Sequence, residues 1–245
     1  MQVQYWGITM TDMKTLRFYA TPTHDCSYLY AHQAKTLFVD PQASVDSGLY
    51  SQLSELGFRR SGNHIYRPHC DFCQACVSVR IPVDIFKPGK TQRRLMNINK
   101  DLTVTRMPPR LTREYYRLYE RYINERHSDG DMFPPTSEQF HNFLVEGNQN
   151  TFFYEFRDSE GKLVAVAVTD YLQHAISALY TFYDPELASR SLGSYAILWQ
   201  IKETRRLGLP HLYLGYWVKE CRKMNYKLAY KPLEMLIDGH WSRIK

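Results

Sequence analysis

The stretch RPHCDFCQACVSVR, residues 67–80, carries Cys70, Cys73 and Cys76 at three-residue intervals. Three thiols in seven positions, from a chain with five cysteines, are either a set of soft ligands or a tight loop whose sulfurs only pack. Zinc and iron–sulfur clusters take about four such ligands, and Cys26 is the natural fourth. His24 near Cys26 and His69 beside Cys70 are alternative donors. The C-x2-C-x2-C spacing suits a metal, since consecutive thiolates can converge on one ion. Against this, no second C-x-x-C completes a zinc ribbon. Cys221 stands alone in sequence, and a lone thiol is more often inert than catalytic.

Two further groupings could act on a substrate. In RSLGSYAIL, 190–198, Arg190 and Gly193 lead into an expected helix, whose exposed N–H groups can hold an anion. The loop lacks the fuller glycine pattern of a CoA binder and leaves room for the phosphate of a tRNA 3′ end. In LYTFYDPELASRSLG, 179–193, Tyr180, Tyr183 and Asp184 fall at the end of an expected strand. Tyrosines and an acid placed there can orient an amine nucleophile or help move its proton. Half-buried packing and an ordinary Asp-Pro turn explain the same residues equally well.

A buried strand at LYLGYWV then opens into the arm KECRKMNYKLAYK, 219–231, before the chain returns to apolar Leu236 and Ile237. As a bare surface loop the arm is unusually long, which favours a function such as lying across a cleft. Positive charge concentrates in it and in KPGKTQRRLMNINK, 87–100, within a chain of 31 Lys+Arg and 25 Asp+Glu, formally +6. Basic residues interleaved with some of the 19 tyrosines suit a phosphate backbone with stackable bases. A solvated face over a tyrosine-rich core is the plainer reading.

These residues need elements to position them. The 245 residues, 44% hydrophobic and 23% charged, are enough for one large domain or two modest ones. No apolar run approaches the roughly 18 residues of a membrane span. The N-terminus lacks the pattern of a signal peptide, and clustered, odd-numbered cysteines argue for a cytoplasmic chain with reduced thiols. TLFVDP (36–41) reads as a strand, 44–56 as a helix capped by Ser44 and stopped by Gly57, and FRRSGNHIYRP as a hairpin turning at 61–63. VSVRIPV (77–83) leaves the cysteine loop as a strand. Helices over 112–126 and 137–147 precede an antiparallel meander over 151–158, 162–172 and 175–185, then a helix over 194–206 and a strand over 211–218. That order fits an α+β fold of the GNAT-like acyltransferase class, over residues 106–245. An N-terminal cysteine-containing domain, or an extension of the same sheet, covers 1–105.

CSYL (26–29), YRPHCDFCQACVSVRIPV (66–83), QRRLMNINKDL (92–102) and RHSDGDM (126–132) stand in the order found in one family. YDPELASRSLGSYAIL (183–198) and YLGYWVKECRKMNYKLAYKPLE (213–234) continue it. The chain resembles the bacterial aminoacyl-tRNA–protein transferases of the N-degron pathway over nearly its whole length. The resemblance implies transfer of leucine from leucyl-tRNA to a protein beginning with Asp or Glu, which marks that protein for degradation. Eukaryotic arginyl relatives carry extra cysteines where Cys26 stands alone, so a cluster at Cys26, Cys70, Cys73 and Cys76 transfers only in part.

On that reading no cofactor is needed for transfer, because the aminoacyl ester is already activated. An acceptor α-amine titrates at about 7.7–8.0, so positioning and oxyanion stabilisation suffice. Arg80, Arg190, Lys227 and Lys231 are candidate cations for the acceptor's acidic side chain, with Tyr216 and Tyr230 beside them in the substrate site. Arg93, Arg94, Lys219, Arg222 and Lys223 are candidate contacts to tRNA phosphates. An arginyl donor, a CoA-dependent acetyltransferase and a non-enzymatic, metal-stabilised RNA-binding module are the competing readings.

Overall fold

The computed structural model describes residues 13–147 and 150–244. From the N-terminus, β1 (Phe18–Ala20), a ribbon of β2 (His24–Asp25) and β3 (Gln33–Ala34), and β4 (Thr36–Val39) lead to helix α1 (Ser47–Glu55). Next come β5 (Arg59–Ser61), β6 (His64–Pro68), β7 (Val77–Pro82), α2 (Lys90–Ile98) and β8 (Thr103–Met107). Helices α3 (Arg113–Arg126) and α4 (Ser137–Phe140) precede the strands β9 (Thr151–Arg157), β10 (Leu163–Tyr171) and β11 (Ala175–Tyr183). The chain closes with α5 (Leu192–Arg206), β12 (His211–Trp217), β13 (Leu233–Ile237) and β14 (His240–Ile244).

Local chemistry sets the helix ends. The Asp46 carboxylate accepts the Leu49 N–H at 2.7 Å, so α1 is capped by Asp46 and not by Ser44. A carboxylate one residue before the helix reaches a free N–H that Ser44 is too far back to meet. Gly57, at φ +86°, turns the chain away afterwards. In α3 the Thr112 hydroxyl accepts from the Tyr115 N–H at 3.1 Å, and Tyr115, Leu118, Tyr119, Tyr122 and Ile123 form its buried face. Each such side chain contributes about 1.5–3 kcal/mol of burial. The helix expected over 137–147 is regular only to Phe140 and continues as a wider turn over His141–Val145.

The main sheet has eight strands in the order β14-β13-β7-β12-β11-β10-β9-β8, beside a smaller sheet β1-β4-β6-β5. Strand β7 pairs antiparallel with both β12 and β13. The division expected near residue 105 therefore cuts through a sheet, and the N-terminal segment extends it, one of the two arrangements the sequence allowed. On one face Val79, Ile81, Leu212 and Leu214 pack with Ile197, Leu198 and Ile201 of α5. On the other, Val166, Val168 and Phe182 pack under α3, and Tyr50 of α1 packs on Tyr213.

The meander, the helix α5 and the return strand occur as the GNAT-like order requires. Strand β12 runs parallel to β11, but the two pair only over Ala175–Ser177 and His211–Tyr213. Beyond that point they part, and the register of β12 against β7 shifts between Tyr213 and Gly215.

Candidate active site

Helix α5 begins after Ser191, whose φ of +46° turns the chain sharply. Ser191 and Ser194, at its start, line a cavity of about 500 Å3 together with Gly89 and Lys90 at the start of α2. The arm closes the same cavity with Tyr226, Ala229 and Tyr230. Two helices start at this cavity, but its lining is largely apolar, with Leu95, Leu198, Tyr226 and Tyr230, and the Gly89 N–H is taken by Gln92 Oε1 at 2.8 Å. The arm itself is a 3-10 helix over Arg222–Ala229, so the segment between β12 and β13 is not a bare surface loop.

The expected catalytic residues separate here. Asp184 is wholly buried, with Arg121 and Lys162 each 2.9 Å from its Oδ2, and it accepts the Glu186 N–H. With both neighbours cationic and the Glu186 N–H bound, Asp184 holds the turn that follows β11. Burial alone would raise its carboxyl, but hydrogen bonds from Lys162 and Arg121 hold it below the ordinary value. The Tyr180 hydroxyl is buried without a hydrogen-bond partner, and burial pushes its titration far up. Tyr183 packs its ring on Tyr122 at 4.8 Å and against Gly193.

Several other candidates have partners within the fold. Arg80 donates through Nη1 to both Glu55 oxygens at 2.9 Å and through Nε to Glu234 at 2.8 Å. It is buried and neutralised, so it is no free cation for an acceptor. Arg190 bonds Asn99 at 3.0 Å and Asp101 at 2.5 Å, which ties the start of α5 to the end of α2. The Tyr216 hydroxyl donates to the Gly57 carbonyl at 2.8 Å, and that of Tyr230 to the Ser194 carbonyl at 3.2 Å. Lys223 is held by Asp129 at 2.7 Å. Arg93, Arg94, Lys219, Arg222 and Lys231 are exposed.

Lys227 is buried, and its ammonium donates to the Tyr216 carbonyl. Burial, with the charge of Arg59 added, lowers it to about 8. Sequence reading named Lys227 but passed over Arg59, because in FRRSG two arginines look like decoration on a hairpin.

Cys26, Cys70, Cys73 and Cys76 line one cavity of about 660 Å3 with His24, Tyr28, Tyr66 and Tyr216. The Cys26 sulfur accepts the Tyr28 N–H at 3.4 Å and the Cys73 sulfur the Ala75 N–H at 3.5 Å, turns that suit a thiolate ligand. Burial pushes Cys76 up to about 12, and the Cys26, Cys70, Cys73 and Cys221 thiols add to it. Cys221, apart in sequence, is thus near the others in space. Among the described residues no three His, Cys, Asp or Glu side chains converge as a metal set. The sulfurs have the right chemistry and share a cavity; the spacing of a bound ion is not formed.

Comparison with known proteins defines the class. The family described as arginine-tRNA-protein transferase matches through its N-terminal model over residues 24–94 and its C-terminal model over 114–237. The chain belongs to this family and is an aminoacyltransferase. A protein of Alcanivorax borkumensis named aspartate/glutamate leucyltransferase is 59% identical over 95% of this chain and 96% of its own length. One of the same name from Pseudomonas aeruginosa is 56% identical over 95% of this chain and 98% of its own length. Among solved structures, FemX matches at 12% identity and TM-score 0.45, covering 83% of this chain and 80% of its own. L-PGS from Bacillus licheniformis matches at 13% and 0.46, covering 82% and 68%. Likenesses this loose carry no argument about the site.

Proposed function

We propose that this enzyme moves leucine from leucyl-tRNA to the α-amine of proteins beginning with Asp or Glu. The observation that carries the reading is the match of both family models, over residues 24–94 and 114–237. The names of relatives 56–59% identical over almost the whole chain support leucine as donor and Asp or Glu as acceptor. In the reaction the neutral amine attacks the ester carbonyl of the charged tRNA, and a C–N bond forms. The ester C–O bond breaks, and the surplus amine proton ends on the departing ribose hydroxyl. Asp184 is engaged elsewhere, so the chain's contribution is to hold amine and ester together in a site sheltered from water. The tRNA body would lie on exposed Arg93, Arg94, Lys219 and Arg222, with binding that weakens as salt rises.

A charged tRNA is a cytoplasmic species, which is where this reading puts the reaction. The new N-terminal leucine would mark the acceptor for proteolysis. Cys26, Cys70, Cys73 and Cys76 are the residues that would hold a zinc ion or iron–sulfur cluster, and such a group would tie their loops together. No helix among the described residues is long and apolar enough to cross a membrane.

The test incubates purified protein with peptides beginning Asp, Glu or Ala and with leucyl- or arginyl-tRNA, and reads product masses. A leucine-sized gain confined to the Asp and Glu peptides is expected. An arginine-sized gain changes the donor, and no gain from protein prepared with or without air overturns the reading.

A further inference from the structure

Three segments far apart in sequence meet at the cavity of about 500 Å3: the start of α2, the start of α5 and the arm. Gln92 ties two of them together, donating through Nε2 to the Ala229 carbonyl at 2.9 Å. The α2 segment and the arm are also the two stretches where positive charge concentrates, and Arg93, Arg94, Lys219 and Arg222 are exposed along them. An opening between two basic segments is placed to receive the end of a nucleic acid whose phosphates those segments hold.

The lining sets what can enter. Leu198 and Tyr230 belong to the core behind the cavity and Leu95 packs against it, so one wall is apolar. The polar groups of the wall are already satisfied among themselves. Gln92 Oε1 accepts the Gly89 N–H at 2.8 Å, its amide donates to Ala229, and the Tyr230 hydroxyl donates to the Ser194 carbonyl at 3.2 Å. An apolar occupant therefore strands no hydrogen-bonding group. Among the described residues that line the cavity none is Asp or Glu, while Lys90 stands among them. A guanidinium entering here would leave water for a site with a cation and no carboxylate, at a cost that nothing in the wall offsets. The cavity of about 520 Å3 beside β5 differs, with Glu138 and Glu146 in its lining.

We infer that this cavity takes the side chain of the aminoacyl group on the donor tRNA and selects leucine over arginine. The inference deepens the proposed transfer and rests on it. Leucine is admitted because Leu95, Leu198 and Tyr230 remove its side chain from water. Arginine is refused because its charge meets Lys90 and finds no acid, so the discrimination comes from a repulsion as well as from a fit.

The experiment charges one leucine tRNA with leucine or with arginine through a 3′ amide, which cannot transfer, and measures binding of each form to the full chain. Lys90→Glu and Leu95→Ala are measured beside wild type, and transfer from ordinary leucyl-tRNA to an Asp peptide is assayed in all three. Wild type is expected to bind the leucyl form about 10-fold more tightly or better. Leu95→Ala should cut that ratio about fourfold, the worth of one buried methylene. Lys90→Glu should cut it about 10-fold, since a repulsion toward the guanidinium becomes an attraction. The common tRNA body cancels in the ratio, so a change in phosphate contacts or in folding moves both forms together and leaves it alone. Lys90 is exposed at the first turn of α2, and its variant guards against a folding defect in Leu95→Ala. No preference in wild type, or a ratio unchanged in both variants, overturns the leucyl pocket even where leucine is transferred. A leucyl preference that both variants reduce supports it even if no leucine reaches the peptide, and that second result would overturn the proposed reaction alone.

Discussion

Asp170 is fully buried and answers Arg60 Nε at 2.9 Å, Arg60 Nη2 at 2.8 Å, Thr151 at 2.6 Å and Tyr50 at 3.2 Å. It joins the small sheet to the large one. Removing one partner strands a buried charge, which costs about 3–5 kcal/mol. Asp170→Asn and Arg60→Met should each lower unfolding stability by about that amount in urea titration. The double variant should lose less than the sum, since neither charge is left alone; strict additivity would show that the pair does not act as one. Asp184 gives a pH signature. Its folded carboxyl is held low, so the folded form takes up its proton less readily than the unfolded chain. Its stabilisation is complete above the ordinary value of about 3.9 and is lost as pH falls through the lower folded value. The stability gap between wild type and Asp184→Asn should therefore close in acid; a constant gap would mean that pairing with Lys162 and Arg121 is not its source. At this scale the sequence displays residue types and hides partners. Arg59, Arg60 and Arg80 are indistinguishable as letters, and only long-range contacts separate paired from unpaired.

The start of α5 shows how an element carries its residues. Arg190 is tied to Asn99 and Asp101, Ser191 turns with positive φ, and the helix then presents its N-terminus to the cavity. A Cβ on Gly193 would stand 3.0 Å from Cε1 of Tyr183, a tight contact that the ring, packed on Tyr122, relieves only by moving a few tenths of an ångström. Gly193→Ala should cost about 1–3 kcal/mol of stability and raise the KM for leucyl-tRNA more than that for the peptide. Equal changes in both would detach this turn from the donor side. Elements of this kind were largely legible. The 3.6-residue spacing of Tyr115, Leu118, Tyr119 and Tyr122 marked α3, and polar turns delimited the meander. What the sequence did not show is the wider turn after Phe140, since its residues keep a helical pattern while the hydrogen bonds change. It also gave no sign of order in the arm, whose basic and aromatic residues read as loop until Tyr226 and Lys227 are seen on opposite duties.

At the scale of the molecule, β7 decides whether the halves are separable. Val79 and Ile81 are wholly buried in the core beneath α5, and β7 supplies hydrogen-bond partners to β12 and β13 at once. Pairings of this sort, between residues more than a hundred positions apart, have no local signature, which is why a boundary near 105 looked reasonable. A fragment of residues 106–245 would leave β12 and β13 with a missing strand between them and an open apolar slot. Unpaired buried strand edges are costly and prone to self-association. The fragment is expected to aggregate or to lack a cooperative melt. Adding a fragment of residues 13–105 during refolding should restore the melt, because the missing strand then returns to its slot. A monomeric fragment 106–245 with a sharp melting transition would show that the transferase half closes its sheet without β7, and that the cysteine-bearing segment is an attachment and not a structural part of the site.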